Sequence, residues 1–197
     1  MCFPFALWLP DGAKGPVPCT IQISCHDPVA HNQMKGLDPA LQDRFMTMMK
    51  ELVGNEEHFN TMLADMTAPK APNTLDITCD VEKGYWPVRQ LLADGYAAAA
   101  FYASSLAPDG DESWKQDGLY PLFFGTAERP PHGFGCLAAW AFGAQRVLDA
   151  LLTCPEIDPS RISVAGHSRA GKAALWAAVQ DQRFETVLVN NSGCCGA

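Results

Sequence analysis

The chain has 197 residues, 48% of them hydrophobic and 18% charged, which excludes a disordered polypeptide and suffices for a buried core. Its formal net charge of −8 makes duplex nucleic acid an unfavourable partner, and no apolar run approaches the roughly 20 residues that cross a bilayer. Met1-Cys2-Phe3-Pro4-Phe5 carries neither a basic stretch nor a small-residue cleavage site, so the sequence predicts either a cytosolic protein or one whose natural N-terminus is missing here.

In chain order, Phe5 to Leu9 reads as a short strand closed by Pro10-Asp11-Gly12, and Pro18 to Ser24 as a second strand rich in β-branched residues. Asp38-Pro39 has the form of a helix cap followed by a proline at the first helical position. Leu41, Phe45, Met48, Met49 and Leu52 follow at helical spacing, and Glu56 to Met66 continues as a second helix. This methionine-rich stripe is read as core or lid surface rather than a cofactor box. Pro69 to Pro72 is a linker. A short helix opens at Trp86-Pro87 and stops at Asp94-Gly95. Tyr96 to Ala103 is apolar throughout, as in a strand covered on both faces, although alanine by itself favours helix. A polar loop from Pro108 and a Pro/Gly-rich stretch to Gly135 lead into a long amphipathic helix marked by Leu137, Ala141, Ala144, Leu148 and Leu151. Arg161 to Ala165 reads as a strand, Arg169 to Gln180 as a helix and Thr186 to Asn190 as a strand. Strands alternating with helices predict one α/β domain over residues 1–197, with a mostly parallel sheet and helices on both faces; residues 34–80 form a helical insertion.

The most informative stretch is Gly166-His167-Ser168-Arg169-Ala170, where a strand enters a helix through a serine. In that context a G-x-S-x-G-like pattern describes a nucleophile turn. The bend is sharp, so only small residues fit two positions before and two after the serine; Gly166 and Ala170 meet that demand. The helix beyond aims its unbonded N–H groups and positive dipole end at the serine, where an acyl-transfer oxyanion would form. The competing reading makes Ser168 an ordinary helix N-cap.

Gly166-His167-Ser168-Arg169-Ala170-Gly171-Lys172-Ala173-Ala174-Leu175-Trp176 resembles the motif of the bacterial glucuronoyl esterases, carbohydrate esterase family 15. Gln180-Asp181-Gln182-Arg183-Phe184, Asn190-Asn191-Ser192-Gly193-Cys194, Trp86-Pro87-Val88-Arg89, Gly95-Tyr96, Phe101-Tyr102, Pro121-Leu122-Phe123 and Ala138-Ala139-Trp140 are similar to the same family. The resemblance implies an α/β-hydrolase fold and cleavage of esters between xylan-borne 4-O-methyl-glucuronic acid and an alcohol, with no cofactor and no metal. It implies Ser168 as nucleophile, Arg169 as the oxyanion-stabilising arginine and Lys172 as a contact to the sugar hydroxyls. It also implies a secreted or periplasmic place of action and a polysaccharide or uronate-ester partner. Arg169 and Lys172 stand three residues apart in the first helical turn, where two cations oppose the helix dipole, so a solvated cationic face is the less attractive explanation.

A serine esterase also needs a histidine base and an orienting carboxylate, in the chain order serine, acid, histidine in this fold. His26, His31, His58, His132 and His167 all precede Ser168. The expectation is therefore a domain that stops one strand after the nucleophile helix, with its histidine beyond Ala197 and little activity in these residues alone. Where some members of the family carry a glutamate, this sequence has Asn191, so the acid is expected nearer the C-terminus.

Other clusters carry weaker readings. Cys25, His26, Asp27 and His31 form a polar loop lining the cleft rather than a zinc site. Asp109, Asp111, Glu112 and Asp117 form a solvated loop, and Gly166 to Lys172 lacks the spacing of a phosphate loop. The eight cysteines, Cys2, Cys19, Cys25, Cys79, Cys136, Cys154, Cys194 and Cys195, leave disulfides open, although the adjacent Cys194 and Cys195 are too constrained to pair. Two rival functions stand beside the glucuronoyl esterase: an acetylxylan or general carboxylesterase, and a non-catalytic carbohydrate-binding remnant.

Overall fold

A computed structural model describes residues 3–25, 39–67, 86–108, 118–125 and 127–193. The Pro69 to Pro72 linker, residues 109–117 of the acidic loop, His26, Asp27, His31, and Cys2, Cys79, Cys194 and Cys195 lie outside these. The chain divides into two compact units, Met1–His26 with Leu75–Ala197, and Asp27–Thr74.

The smaller unit contains helices α1 (Pro39–Val53) and α2 (Glu56–Thr67). Gly54 ends α1 at φ 65, a left-handed conformation that glycine adopts without a Cβ clash. Asn55 then caps α2, its side-chain oxygen accepting the His58 N–H at 2.9 Å. Lys50 and Glu56 pair across the joint. Met48, one member of the methionine stripe, faces solvent.

The larger unit is built on a sheet of five strands among the described residues: β1 (Phe5–Trp8), β2 (Val17–Ser24), β3 (Ala97–Tyr102), β4 (Ile157–His167) and β5 (Thr186–Asn190), in the order β1-β3-β2-β4-β5. Only β1 runs antiparallel to its neighbour; β3, β2, β4 and β5 pair in parallel. Among the described residues the unit also has helices α3 (Val88–Ala93), α4 (Tyr120–Phe124), α5 (Cys136–Leu151) and α6 (Arg169–Gln180).

The alanine run in β3 is decided by burial. All six of its residues are buried, and they alternate between faces. Ala97, Ala99 and Phe101 join Ile21, Ile23, Ile162 and Val164 in one cluster with Trp140, Val147, Leu148 and Leu151 of α5 and Ala170, Ala173, Ala174 and Ala177 of α6. Ala98 lies on the other face with Trp86, Val88 and Ala165, so α3 covers that side. Small side chains on both faces let helices approach the strand closely, which outweighs alanine's helical preference. In α5 the same closeness is visible at Gly143, where a Cβ would come within 2.7 Å of the Phe101 ring and 3.0 Å of Leu106.

Two elements differ from the sequence expectation. Tyr120–Phe124 is a short helix within the Pro/Gly-rich stretch, held by the buried Tyr120, whose hydroxyl donates to the Ala127 carbonyl at 2.9 Å. β4 begins at Ile157 rather than Arg161, but the ladder is irregular: Val17 pairs with Ile157 while Cys19 pairs with Ile162. Pro159 cannot donate to that ladder, and Asp158 instead accepts bonds from Ser160 and Arg161 within the looped-out residues. Cys19 and Cys154 are free thiols, and burial, with Cys154 nearby, pushes the Cys19 thiol up to about 12. An un-ionised core thiol of this kind is chemically inert.

Candidate active site

The site grows from the parallel pairing. β2, β3 and β4 all point their C-terminal ends at one edge of the sheet, the edge at which open α/β sheets hold ligands. β4 delivers Ile162 and Val164 to the α5–α6 core and Ala165 to the opposite face, then ends at His167. By the same alternation His167 lies on the face of Ala165, turned away from α6. The chain reverses at Ser168 and enters α6 at Arg169.

The reversal is tight enough to dictate its residues. A Cβ at Gly166 would overlap the carbonyl of Ala170 and reach within 2.8 Å of the Gly171 nitrogen. Ala170 itself is 1% exposed, and its methyl group fills the space available. Ser168 holds φ 56 and ψ −125, a region that costs a non-glycine residue about 1–3 kcal/mol. Its N–H donates to the Asn190 carbonyl at 2.9 Å, and its own carbonyl accepts the Gly171 N–H at 3.0 Å. The hydroxyl makes no capping bond to the helix, and the residue is exposed. Ser168 therefore occupies the N-cap position without a side-chain capping bond.

The electrostatics at this point are one-sided. The first turn of α6 has no acidic residue, whereas Arg169 and Lys172 both belong to it. Arg169 is exposed beside Ser168. Lys172 is half-buried, and its Nζ donates to the Gly193 carbonyl at 2.9 Å. The positive end of the helix and two cationic residues of its first turn thus stand at the serine edge of a chain whose net charge is −8.

β5 brings a second loop to the same edge. His167 pairs with Asn190, after which Asn191 turns at φ 51. Asn191 is the second non-glycine residue at positive φ among the described residues, and its side chain is an amide at the position where some members of the resembling family carry a glutamate. Of the loop Cys25, His26, Asp27 and His31, only Cys25 is among the described residues, and it is half-buried.

Sequence reasoning missed the buried polar row on the α3 side of the sheet. Thr20, Gln22 and Ser24 of β2 are 6%, 6% and 2% exposed, and Tyr102 of β3, in register with Ser24, is 5% exposed. The signal was present: these polar residues alternate with Cys19, Ile21 and Ile23 at a period of two.

A family model described as glucuronyl esterase, fungi, matches residues 52–197. A protein named carbohydrate esterase MZ0003, from an unknown prokaryotic organism, is 29% identical over 97% of this chain and 40% of its own length. A 4-O-methyl-glucuronoyl methylesterase from Wolfiporia cocos is 33% identical over 66% of this chain and 30% of its own. Among solved structures, a glucuronoyl esterase from Solibacter usitatus superposes with a TM-score of 0.70 at 29% identity, covering 98% of this chain and 44% of that one. The chain thus spans less than half the length of each of these relatives.

Proposed function

The chain belongs to the glucuronoyl esterase family, carbohydrate esterase family 15, with the α/β-hydrolase fold, and from that membership we propose that the protein is a serine carbohydrate esterase cleaving glucuronoyl esters of xylan, with Ser168 as its nucleophile. One observation carries the reading: an exposed serine, strained at φ 56, at the positive mouth of a helix on the C-terminal edge of a parallel sheet.

The Ser168 hydroxyl attacks the ester carbonyl. Negative charge develops on the carbonyl oxygen, where the N–H groups of the first turn of α6 and the Arg169 guanidinium stabilise it. Donors fixed in advance act this way because no reorganisation is needed as the charge forms. Lys172 presents its ammonium to the uronate hydroxyls from one helical turn further on. The alkoxide leaves with a proton, and water then releases the acyl group from Ser168. Both proton transfers need an imidazole oriented by a carboxylate. Asn191 offers a neutral amide where some family members carry a glutamate, so the carboxylate is assigned elsewhere in the protein. A polysaccharide substrate points to an extracellular or periplasmic place of action.

The test is hydrolysis of methyl 4-O-methyl-glucuronate, beside an acetyl ester, by the protein expressed from its complete gene. The reading expects turnover of the uronate ester to exceed that of the acetyl ester, and expects Arg169→Ala to lower kcat by about 10²–10³. Preference for the acetyl ester would move the protein to a general carboxylesterase. Sugar binding without turnover of either ester would make it a binding module.

A further inference from the structure

We infer that the turn Asn190–Gly193 is a clasp that fixes the height and orientation of Ser168, and that Gly171 and Lys172 are positioning residues that close it. The inference rests on the reading of Ser168 as nucleophile only for its kinetic consequence; the clasp itself is a matter of backbone geometry.

Three contacts tie the turn to the first turn of α6. The Asn190 carbonyl accepts the Ser168 N–H at 2.9 Å. Ser192, 5% exposed, lies against Gly171 so closely that a Cβ there would meet the Ser192 Cβ at 3.0 Å, the Gly166 carbonyl at 3.1 Å and the Asn190 carbonyl at 3.3 Å. The Gly193 carbonyl accepts the Lys172 Nζ at 2.9 Å. Asn191 at φ 51 and Gly193 at φ 58 give the turn the curvature it needs to fold back onto the helix.

The physical need for such a clasp follows from the strain at Ser168. A residue held at positive φ against a cost of about 1–3 kcal/mol relaxes unless its surroundings over-determine it. The bond from Ser168 N–H to Asn190 is a constraint on that residue from outside its own helix, and it holds only while the Asn190 carbonyl stays in place. The Lys172 ammonium, a cation bonded to a backbone carbonyl, closes the far end of the turn with a charge-assisted bond. Glycine at 171 leaves room for the turn to lie flat against the helix. This accounts for the glycine that follows the serine and arginine of the motif, for a role of the lysine beyond its contact to the uronate, and for Asn190-Asn191-Ser192-Gly193 downstream.

The decisive readout is amide hydrogen exchange on the full-length protein, comparing wild type, Lys172→Met and Lys172→Arg. The clasp predicts that Lys172→Met speeds exchange at Ser168 and Ser192 by about three- to tenfold, with Ile21 and Ile23 of the core unchanged. Lys172→Arg, which retains a cationic donor, restores most of the protection. Unchanged exchange at Ser168 in Lys172→Met overturns the inference, and so does a rise shared equally by the core, which reports general loosening. In the protein from the complete gene, a clasp further predicts that Lys172→Met lowers kcat by more than it raises KM, with rescue by arginine. A rise in KM alone would assign Lys172 to substrate contact only and overturn its positioning role. Absence of turnover in the wild type would sink the esterase reading while leaving the exchange result to decide the clasp.

Discussion

Ser168 is a residue at which stability and chemistry pull apart. Its φ of 56 suits glycine better than any side chain, yet the hydroxyl is the group to which the proposal assigns the attack. Ser168→Gly should therefore unfold at higher urea than Ser168→Ala, by about 1 kcal/mol, because alanine keeps the clash that glycine removes. Equal stability of the two variants would show that the backbone strain is absent. The sequence made this residue legible because the glycine, serine and alanine spacing has a steric cause, confirmed by the overlap a Cβ at Gly166 would make with Ala170. Lys172 was less legible. Its spacing from Arg169 was visible, but its bond to Gly193 depends on where β5 ends and how the chain turns there. No local pattern encodes that.

At the scale of elements, α5 shows how packing overrides propensity. Alanine is normally worth about 1 kcal/mol more than glycine inside a helix. At position 143 the sign reverses, because the added Cβ meets the Phe101 ring at 2.7 Å and Leu106 at 3.0 Å, and both of those residues are buried. Gly143→Ala should lower stability by about 1–3 kcal/mol in urea denaturation, as other over-packed cores do. A stabilised variant would mean that α5 sits further from β3 than described. The strand β3 carries the complementary lesson. Its alanines read correctly as a strand only from context, as part of a run apolar throughout, since their intrinsic preference is helical. α4 was illegible for a related reason: a helix of five residues is held by Tyr120, Phe124 and Phe134 in mutual ring contact rather than by periodicity. Helices that short have almost no sequence period to detect.

For the whole molecule, charge links stability to pH on the acid side. Asp158 is held down to about 2 by hydrogen bonds from Ser160 and Arg161. The Arg183 guanidinium, through a hydrogen bond, holds the Asp181 carboxyl below the usual carboxylate range. Arg183 also bonds Asp149 of α5 at 2.8 Å, tying that helix to the turn after α6. Each carboxylate titrates lower in the folded chain than in the unfolded one. The unfolded chain thus binds more protons as pH falls, so stability is full above about pH 4 and is lost progressively toward pH 2. Urea midpoints measured from pH 6 to pH 2 should fall through that window, and Arg183→Met should flatten part of the fall. A midpoint independent of pH below 4 would exclude this linkage. The family assignment belongs to this scale as well, since the α/β alternation and parallel order were readable from the sequence, whereas the antiparallel placement of β1 beside β3 was not.

The account as a whole stands on Ser168 as the attacking group. The most direct measurement is the rate of methyl 4-O-methyl-glucuronate hydrolysis by the complete gene product and by its Ser168→Ala variant, with folding of both checked by circular dichroism. The wild type should turn over the ester, and the folded variant should lose at least about a thousandfold in kcat. A folded Ser168→Ala protein that hydrolyses the ester at the wild-type rate would contradict the account.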